Sequence, residues 1–534
     1  MDNNAQAGLL PQRQLIEALC DPECYPHAAR TVRLLETHIS WVLLAGRYAY
    51  KIKKALNLGF LDFTDLAARR FYCEEEIRLN RRLAPQLYLD VVAIGGSPQR
   101  PQPGAGTAIE YAVRMRRFAS SKQMDRLLAR GLVTPTHIDR LAATIAQFHI
   151  SLPAAADSSF GTPEAIHAPA LQNFDQLAPL LDDADIELLD RLRGASEREY
   201  AACAPWMEQR RQQGWIRECH GDLHLGNIVL LRDEPTPFDG IEFNANFRWI
   251  DVMNEVAFLA MDLLDRNRTD LAFRFLNGYL ELTGDYAGVR VLRYYLAYRA
   301  MVRAKIDAIR AHQADAQPGE ANAAMAACRG YLALAESCLA RRKPALIITH
   351  GLPGCGKTTV ALAALERLQA IRIRSDVERK RLFGLAPLQR SRSGIGGGIY
   401  SAEATQRTYA RLHELARGLL GAGFPVIVDA AFLNHAEREQ FRQLAREMAV
   451  PFVILDIRVA IATLRQRILQ RLDLARDASE ADLKVLETLL AAQEPLQPDE
   501  LAIVVDFVNE GGGLGDIGSQ ASWSALEALV APSP

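Results

Sequence analysis

The chain has no apolar run long enough to cross a bilayer. Its longest, such as ALIITHGL and FPVIVDAAFL, fall short of the about 18 residues a span needs. Its opening stretch, MDNNAQAGLLPQRQLIEALC, lacks the basic start and apolar centre of a secretory leader. Net charge is slight, −2 over 534 residues, so bulk charge points neither to nucleic acid nor to an anionic membrane. The eight cysteines include no CxxC pair, Cys20 and Cys24 being the closest two. They read as buried thiols rather than a disulfide framework or a metal site. No repeat with a period of about 20–50 residues is present, which argues against solenoids and propellers. What is left is a cytoplasmic globular protein of about two to four domains. No membrane contact and no obligate protein partner are indicated.

A composition break divides the chain. The helical tract LRYYLAYRAMVRAKIDAIRAHQ gives way to the polar ADAQPGEANA and then to a second helical tract, which Lys343–Pro344 brings to a stop. The expected division is 1–343, 344–510 and a flexible Gly/Ser-rich tail over 511–534, with a short helix at SWSALEALV. Beyond Pro344 the β-branched runs ALIITH, AIRIRSD, FPVIVDAA, PFVILDIRV and LAIVVDFV alternate with helical patterns. That alternation predicts a parallel sheet wrapped by helices.

The turn after the first of these runs is GLPGCGKT, which fits G-x-x-x-x-G-K-[ST]. Glycines there let backbone N–H groups converge on phosphates while the next helix presents its positive end. Gly351, Leu352, Pro353, Gly354, Cys355, Gly356, Lys357, Thr358 and Thr359 are therefore the candidate nucleotide contacts. Lys357 is expected on the β/γ-phosphates of ATP and Thr358 on Mg²⁺. The strand PVIVDAAF supplies Asp429 as a metal-side carboxylate, but Ala430 stands where a hydrolytic motor carries a water-activating acid. Asp376, at the end of IRIRSD, is placed to take a proton from an acceptor hydroxyl, with a helix N-cap as the plain alternative. Arg374 and Arg379 flank it. Arg467 and Arg471, four apart in a helical pattern, suit a charge-neutralising lid or else a solvated basic face.

The first half carries a different set. In HGDLHLGNIVLL, Asp222 and Asn227 have the H-x-D-x-x-x-x-N spacing of a kinase catalytic loop. The carboxylate accepts the acceptor's proton and the amide ligates Mg²⁺. Upstream, YAYKIKK offers Lys51, with Lys53 on the same strand face. FYCEEEIRLNRRL offers Glu76, beside Glu74 and Glu75, as the helix acid that pairs with such a lysine. Glu110–Met115 reads as the hinge between lobes. No G-x-G-x-x-G precedes Lys51; ISWVLLAGRYAY has one glycine, Gly46.

With His224, the loop reads H-G-D-x-H-x-x-N and resembles the aminoglycoside and choline phosphotransferase branch of the kinase fold. That resemblance maps its I-D-F pattern onto IEF, making Glu242 the metal position and Asp251 the later structural acid. The second half resembles small P-loop kinases of the polynucleotide 5′-kinase, zeta-toxin and gluconate-kinase types. Together, FYCEEEIRLNRRLAP and IVDAAFL resemble bacterial two-domain proteins that join an aminoglycoside phosphotransferase-like unit to a P-loop ATP-binding unit. The resemblance implies an α+β bilobal kinase-like domain followed by an α/β domain with a five-stranded parallel sheet. It also implies transfer from ATP to a small-molecule or nucleic-acid hydroxyl. Two alternatives stand beside it: a nucleotide-gated regulator built on a pseudokinase-like scaffold, and a polynucleotide 5′-kinase activity in the second half.

Overall fold

A computed structural model describes residues 12–59, 61–157, 159–313, 317–340, 344–387, 389–391, 397–474, 482–510 and 518–530, and the side chains of these apart from 471–474. By contact density the chain forms two compact units, one of residues 1–172 and 204–262, the other of residues 173–203 and 263–534. Among the described residues no helix is long and apolar enough to cross a membrane.

The first unit is built on six antiparallel strands: β1 (Val32–Glu36), β2 (Ser40–Ala45), β3 (Tyr48–Lys53), β4 (Tyr88–Ser97), β5 (Arg100–Pro103) and β6 (Glu110–Arg116). Their order is β1-β2-β3-β6-β4-β5. Glu110–Met115 are thus strand rather than hinge. Alternation along β3 sets the site's geometry. Tyr50 and Ile52 enter a core with Leu15, Trp41 and Leu43, whereas Ala49 packs with Cys73 and Ile77 of helix α1 (Leu66–Asn80). Lys51 and Lys53 share that second face, and α1 turns Glu76 and Asn80 inward beside Ile77 at helical spacing. Two short ladders come next, β7 (Ile216–Glu218) with β10 (Trp249–Asp251), and the hairpin of β8 (Ile228–Leu231) with β9 (Glu234–Pro237). Helix α2 (Val252–Asp265) leaves β10.

The second unit holds a parallel sheet of β11 (Leu346–His350), β12 (Ile371–Arg374), β13 (Val426–Asp429), β14 (Phe452–Arg458) and β15 (Val504–Val508), in the order β12-β13-β11-β14-β15. These are the five runs picked out by sequence. All of β11 and β13 is buried, as expected of strands covered on both faces. This unit's helices include α3 (Thr269–Thr283), α4 (Val289–Ala311) and α5 (Pro318–Leu339), the last two packed on each other, and α6 (Lys357–Leu368), α7 (Ser375–Leu382), α8 (Ala402–Gly421) and α9 (Ile461–Leu474). A last helix, α10 (Gln520–Val530), seats Trp523 edge-on against Phe507 of β15, centroids 4.8 Å apart.

Strand β12 is at the sheet's edge, and α3 closes that edge with a side chain. The Asn277 amide donates to the Ala370 carbonyl at 2.9 Å and accepts the Arg372 N–H at 2.6 Å. It pairs as a neighbouring peptide would. Arg274 anchors the same helix through Glu366 of α6, at 2.8 Å.

Candidate active sites

In the first unit, the catalytic-loop residues are held from behind. His220 is buried; its Nε2 lies 2.9 Å from the Phe238 carbonyl and its Nδ1 accepts the Asp222 N–H at 3.3 Å. Burial pushes its pKa down, and both contacts suit a neutral ring that pins the loop to the hairpin. Glu255 of α2, fully buried, accepts the N–H groups of His220 and Gly221 and meets His149 Nε2 at 3.0 Å. Burial opposes its charge, but the His149 hydrogen bond heads the partners that bring it down to about 2.

That depression carries a pH dependence. A carboxyl lowered from 4.5 to about 2 contributes stability that is fully present above 4.5 and lost as pH falls towards 2. The contribution is on the order of 3 kcal/mol. Acid titration followed by circular dichroism should therefore show wild type losing stability across that window. A Glu255→Gln variant should start lower and lose less there; parallel curves would remove this role from Glu255.

Asp222 is 37% exposed at its side chain, and its carboxylate accepts from Asn227 Nδ2 at 2.8 Å and lies 3.5 Å from His224 Nε2. Asn227 Nδ2 also donates to the Asp222 carbonyl, at 3.0 Å. His224 Nδ1 accepts the Gly226 N–H at 3.1 Å, fixing the turn between them.

Lys51 and Lys53 both pair with Glu76, at 2.9 and 2.8 Å. Burial alone would disfavour that charge, yet the two ammonium groups bring Glu76 down to about 2. Glu74 instead pairs on the outer surface with Arg70, and the half-buried Glu75 pairs with Arg78. Asp251 is a structural acid, bound by Arg210 at 2.7 Å.

Glu242, which the resemblance makes the metal position, is 3% exposed and closed in an ion pair with Lys53. Burial and the neighbouring Glu76 push its pKa up. The accessible acid of this corner is Asp239, 43% exposed and 2.5 Å from Lys51 Nζ. Its backbone has φ +64°, a conformation uncommon for a residue with a Cβ. Two bonds hold it there: its N–H donates to Tyr88 Oη at 2.9 Å, and the Gly240 N–H donates to Asn80 Oδ1 at 2.8 Å. The hairpin register sets its place. The Phe238 N–H bonds the Asn227 carbonyl, so Asp239 stands one residue past Asn227's partner. In the sequence, PFDG, an acid and glycine closing the hairpin after Asn227, marks this second acid beside the IEF onto which I-D-F maps. The β1–β2 turn, Thr37–Ile39, contains no glycine, and Gly46 lies in the β2–β3 turn instead.

In the second unit, the loop from Gly351 to Gly356 runs from β11 into α6. Gly356 has φ +95°, and a Cβ there would stand 2.1 Å from Asn509 Nδ2. That amide donates to the Cys355 carbonyl at 2.9 Å and ties the loop to the end of β15. Lys357 Nζ bonds the Gly351 and Leu352 carbonyls at 2.9 and 3.0 Å. Asp429 is 5% exposed, and its Oδ2 has no hydrogen-bond partner. Burial pushes its pKa up, against Arg374, Arg372, Lys357 and a hydrogen bond from Thr358.

Helix α9 lies against this loop: Leu464 and Ile468 contact the space over Gly354, and Arg467 Nη2 donates to the Asn509 carbonyl at 2.9 Å. The Arg471 side chain lies outside the described residues. Asp376 is the second residue of α7; Arg374 occupies the N-cap, with no side-chain capping bond, so capping does not account for the acid. The flanking arginines are committed within the fold. Arg379 is 8% exposed and bonds the Ile399 carbonyl and Thr405 Oγ1 at 2.9 and 3.1 Å. Arg374 is held by Glu281 of α3 at 2.8 Å.

Comparison with known proteins places both halves. The phosphotransferase enzyme family matches residues 72–292, and an AAA domain matches residues 346–496. The uncharacterized proteins Rv2004c of Mycobacterium tuberculosis strain H37Rv and Mb2027c of Mycobacterium bovis are each 31% identical over 462 residues. The match spans 86% of this chain and 89% of theirs. Among solved structures, amicoumacin kinase hAmiN in complex with AMP-PNP, Ca²⁺ and Ami is 15% identical with a TM-score of 0.40, covering 63% of this chain and 96% of that one. Chaetomium thermophilum Kti12 in complex with ADP-AlF3 is 18% identical with a TM-score of 0.27, covering 35% and 100%. A Sinorhizobium meliloti gluconokinase is 21% identical with a TM-score of 0.25, covering 36% and 95%.

Proposed function

Because the chain belongs to the family of those mycobacterial proteins and is a phosphotransferase with two kinase-type domains, we propose that it works as a tandem kinase with two separable ATP sites. The functional division falls at 343/344. In the first site Asp222 accepts the acceptor's proton, Asn227 and Asp239 hold Mg²⁺, and Lys51, set by Glu76, meets the nucleotide phosphates. In the second, the loop backbone and Lys357 hold the phosphates, Thr358 and Asp429 hold Mg²⁺, and Asp376 serves as base. Arg467 and Arg471 balance charge from α9. When bound, the cation offsets charge on the transferring phosphoryl group.

The observation that carries this reading is the buried Asp429 Oδ2, beside Thr358 at the foot of the loop, which has no hydrogen bond and only the Arg374 guanidinium nearby, at 3.7 Å. A buried carboxylate oxygen without a hydrogen bond is costly unless a ligand supplies one. The residues after it, Ala430 and Ala431, provide no water-activating acid, which favours transfer to a hydroxyl over hydrolysis. A small-molecule acceptor is favoured over a nucleic acid because Arg374 and Arg379, which a basic groove would need, bind within the fold. The glycine-free β1–β2 turn favours one second reading, in which the kinase-like half is a regulatory scaffold and the P-loop half acts alone.

γ-Labelled ATP, incubated with a cell metabolite and nucleic-acid extract, tests both. Wild type should yield two sets of labelled products, one absent with Lys357→Ala and the other with Asp222→Ala. Label unaffected by Lys357→Ala would sink the tandem reading. Label unaffected by Asp222→Ala would leave the scaffold.

A further inference from the structure

Glu281 belongs to α3, in the part of the chain before the 343/344 division, yet its carboxylate serves the P-loop sheet. It binds Arg372 Nη2 at 2.9 Å and Arg374 Nη1 at 2.8 Å. It stands one helical turn from Asn277, on the face that closes β12. The Glu281 carbonyl also accepts from Arg381 Nη2, at 2.5 Å. This end of α3 is therefore fixed to the strand by the Glu281 side chain and to α7 by its backbone.

What Glu281 holds lies next to Asp429. Strand register sets Arg374 level with Asp429, and Arg374 Nε is 3.7 Å from Asp429 Oδ2. That oxygen is the one without a hydrogen bond. A guanidinium so close closes readily onto a buried carboxylate as a two-pronged pair unless another acid holds it. Closed in that way, Arg374 would occupy the lone pairs a cation needs. Glu281 is the competing acid.

We propose that Glu281 is a positioning residue of the P-loop site, holding Arg374 and Arg372 so that Asp429 stays open to the Mg²⁺ of a bound nucleotide. It deepens the P-loop reading above and rests on it. It also means that the P-loop half is completed by a helix contributed from the kinase-like half of the sequence.

The test is Mg²⁺ titration of ADP binding to the full chain, followed by a fluorescent ADP analogue. Only the component lost in Lys357→Ala is counted, which sets aside the other candidate site. Glu281→Gln is expected to raise the half-saturating Mg²⁺ concentration about tenfold or more, the usual effect of losing a residue that orients a metal ligand. Mg²⁺-free ADP affinity should stay unchanged. Adding Arg374→Gln should bring the Mg²⁺ dependence back towards wild type, because the competitor for Asp429 is gone; a merely structural role for Glu281 would make the double variant worse. An unchanged Mg²⁺ dependence in Glu281→Gln overturns the proposal, as does loss of Mg²⁺-free affinity or a double variant no better than the single. If wild type shows no Lys357-dependent binding at all, the P-loop reading itself fails and this inference falls with it.

Discussion

An alanine in place of Lys357 is expected to lower P-loop phosphotransfer by about 10²–10³-fold, the size typical of removing one preorganised charged group from a transition state. The substitution should leave the fold intact. Lys357 is half-buried, and its Nζ bonds the Gly351 and Leu352 carbonyls at the loop's own surface. Arg374 and Arg372 remain beside the buried Asp429 after its removal, so that acid is not left without a compensating charge and the large penalty for breaking a buried pair does not arise. Asn509 and the packing of α9 on Gly354 still hold the loop. Nucleotide titration with a parallel thermal melt checks this: affinity should fall while the melting temperature holds. Equal nucleotide affinity in wild type and variant would remove Lys357 from the site.

Asp239→Asn is expected to cost the kinase-like half about 10²–10³-fold in phosphotransfer, again as the loss of one electrostatic stabiliser. Shape is conserved, so the change isolates charge: a hard anionic oxygen for the cation becomes a neutral one, and Lys51 keeps only Glu76 as its close partner of the two. Glu242→Gln is the informative contrast. Its partner Lys53 is fully buried and keeps only Glu76, which it shares with Lys51, so that variant should lose stability, by less than the roughly 3–5 kcal/mol that a buried charge left with no partner costs. Steady-state rates at varied Mg²⁺, together with denaturant melts of both variants, separate the two roles. Should Glu242→Gln rather than Asp239→Asn shift the Mg²⁺ dependence, the metal position returns to Glu242.

The contrast between those two acids shows what was legible in the sequence. A motif carried by contiguous residues is readable because its chemistry depends on spacing alone. GLPGCGKT and HGDLHLGN are of that kind, and so are the five β-branched runs that became β11–β15. Lys51, Lys53 and Glu76 came together because one strand face and one helix face suffice to align them. Asp239 and Glu242 lie three residues apart with equivalent chemistry, and only the hairpin register and a positive φ decide which one is accessible. Register is a property of pairing, so a single strand does not reveal it. Arg379 looked like an acceptor grip because arginines are usually exposed; here the Gly398–Tyr400 turn folds over it. Asn277 and Glu281 gave no signal. Their partners lie more than 90 positions away, and each reads as an ordinary polar residue of an amphipathic helix.

The Asn277 side chain on β12 also bears on the order in which the chain is made. A parallel edge strand with bare N–H and C=O groups is a template for pairing with another molecule. Synthesis runs from the N-terminus, so α3 is already present when Ala370–Arg372 leave the ribosome. The cap precedes the edge it covers. A fragment begun at Pro344 would reverse this, presenting the outer edge of β12 uncovered and inviting edge-to-edge association between copies.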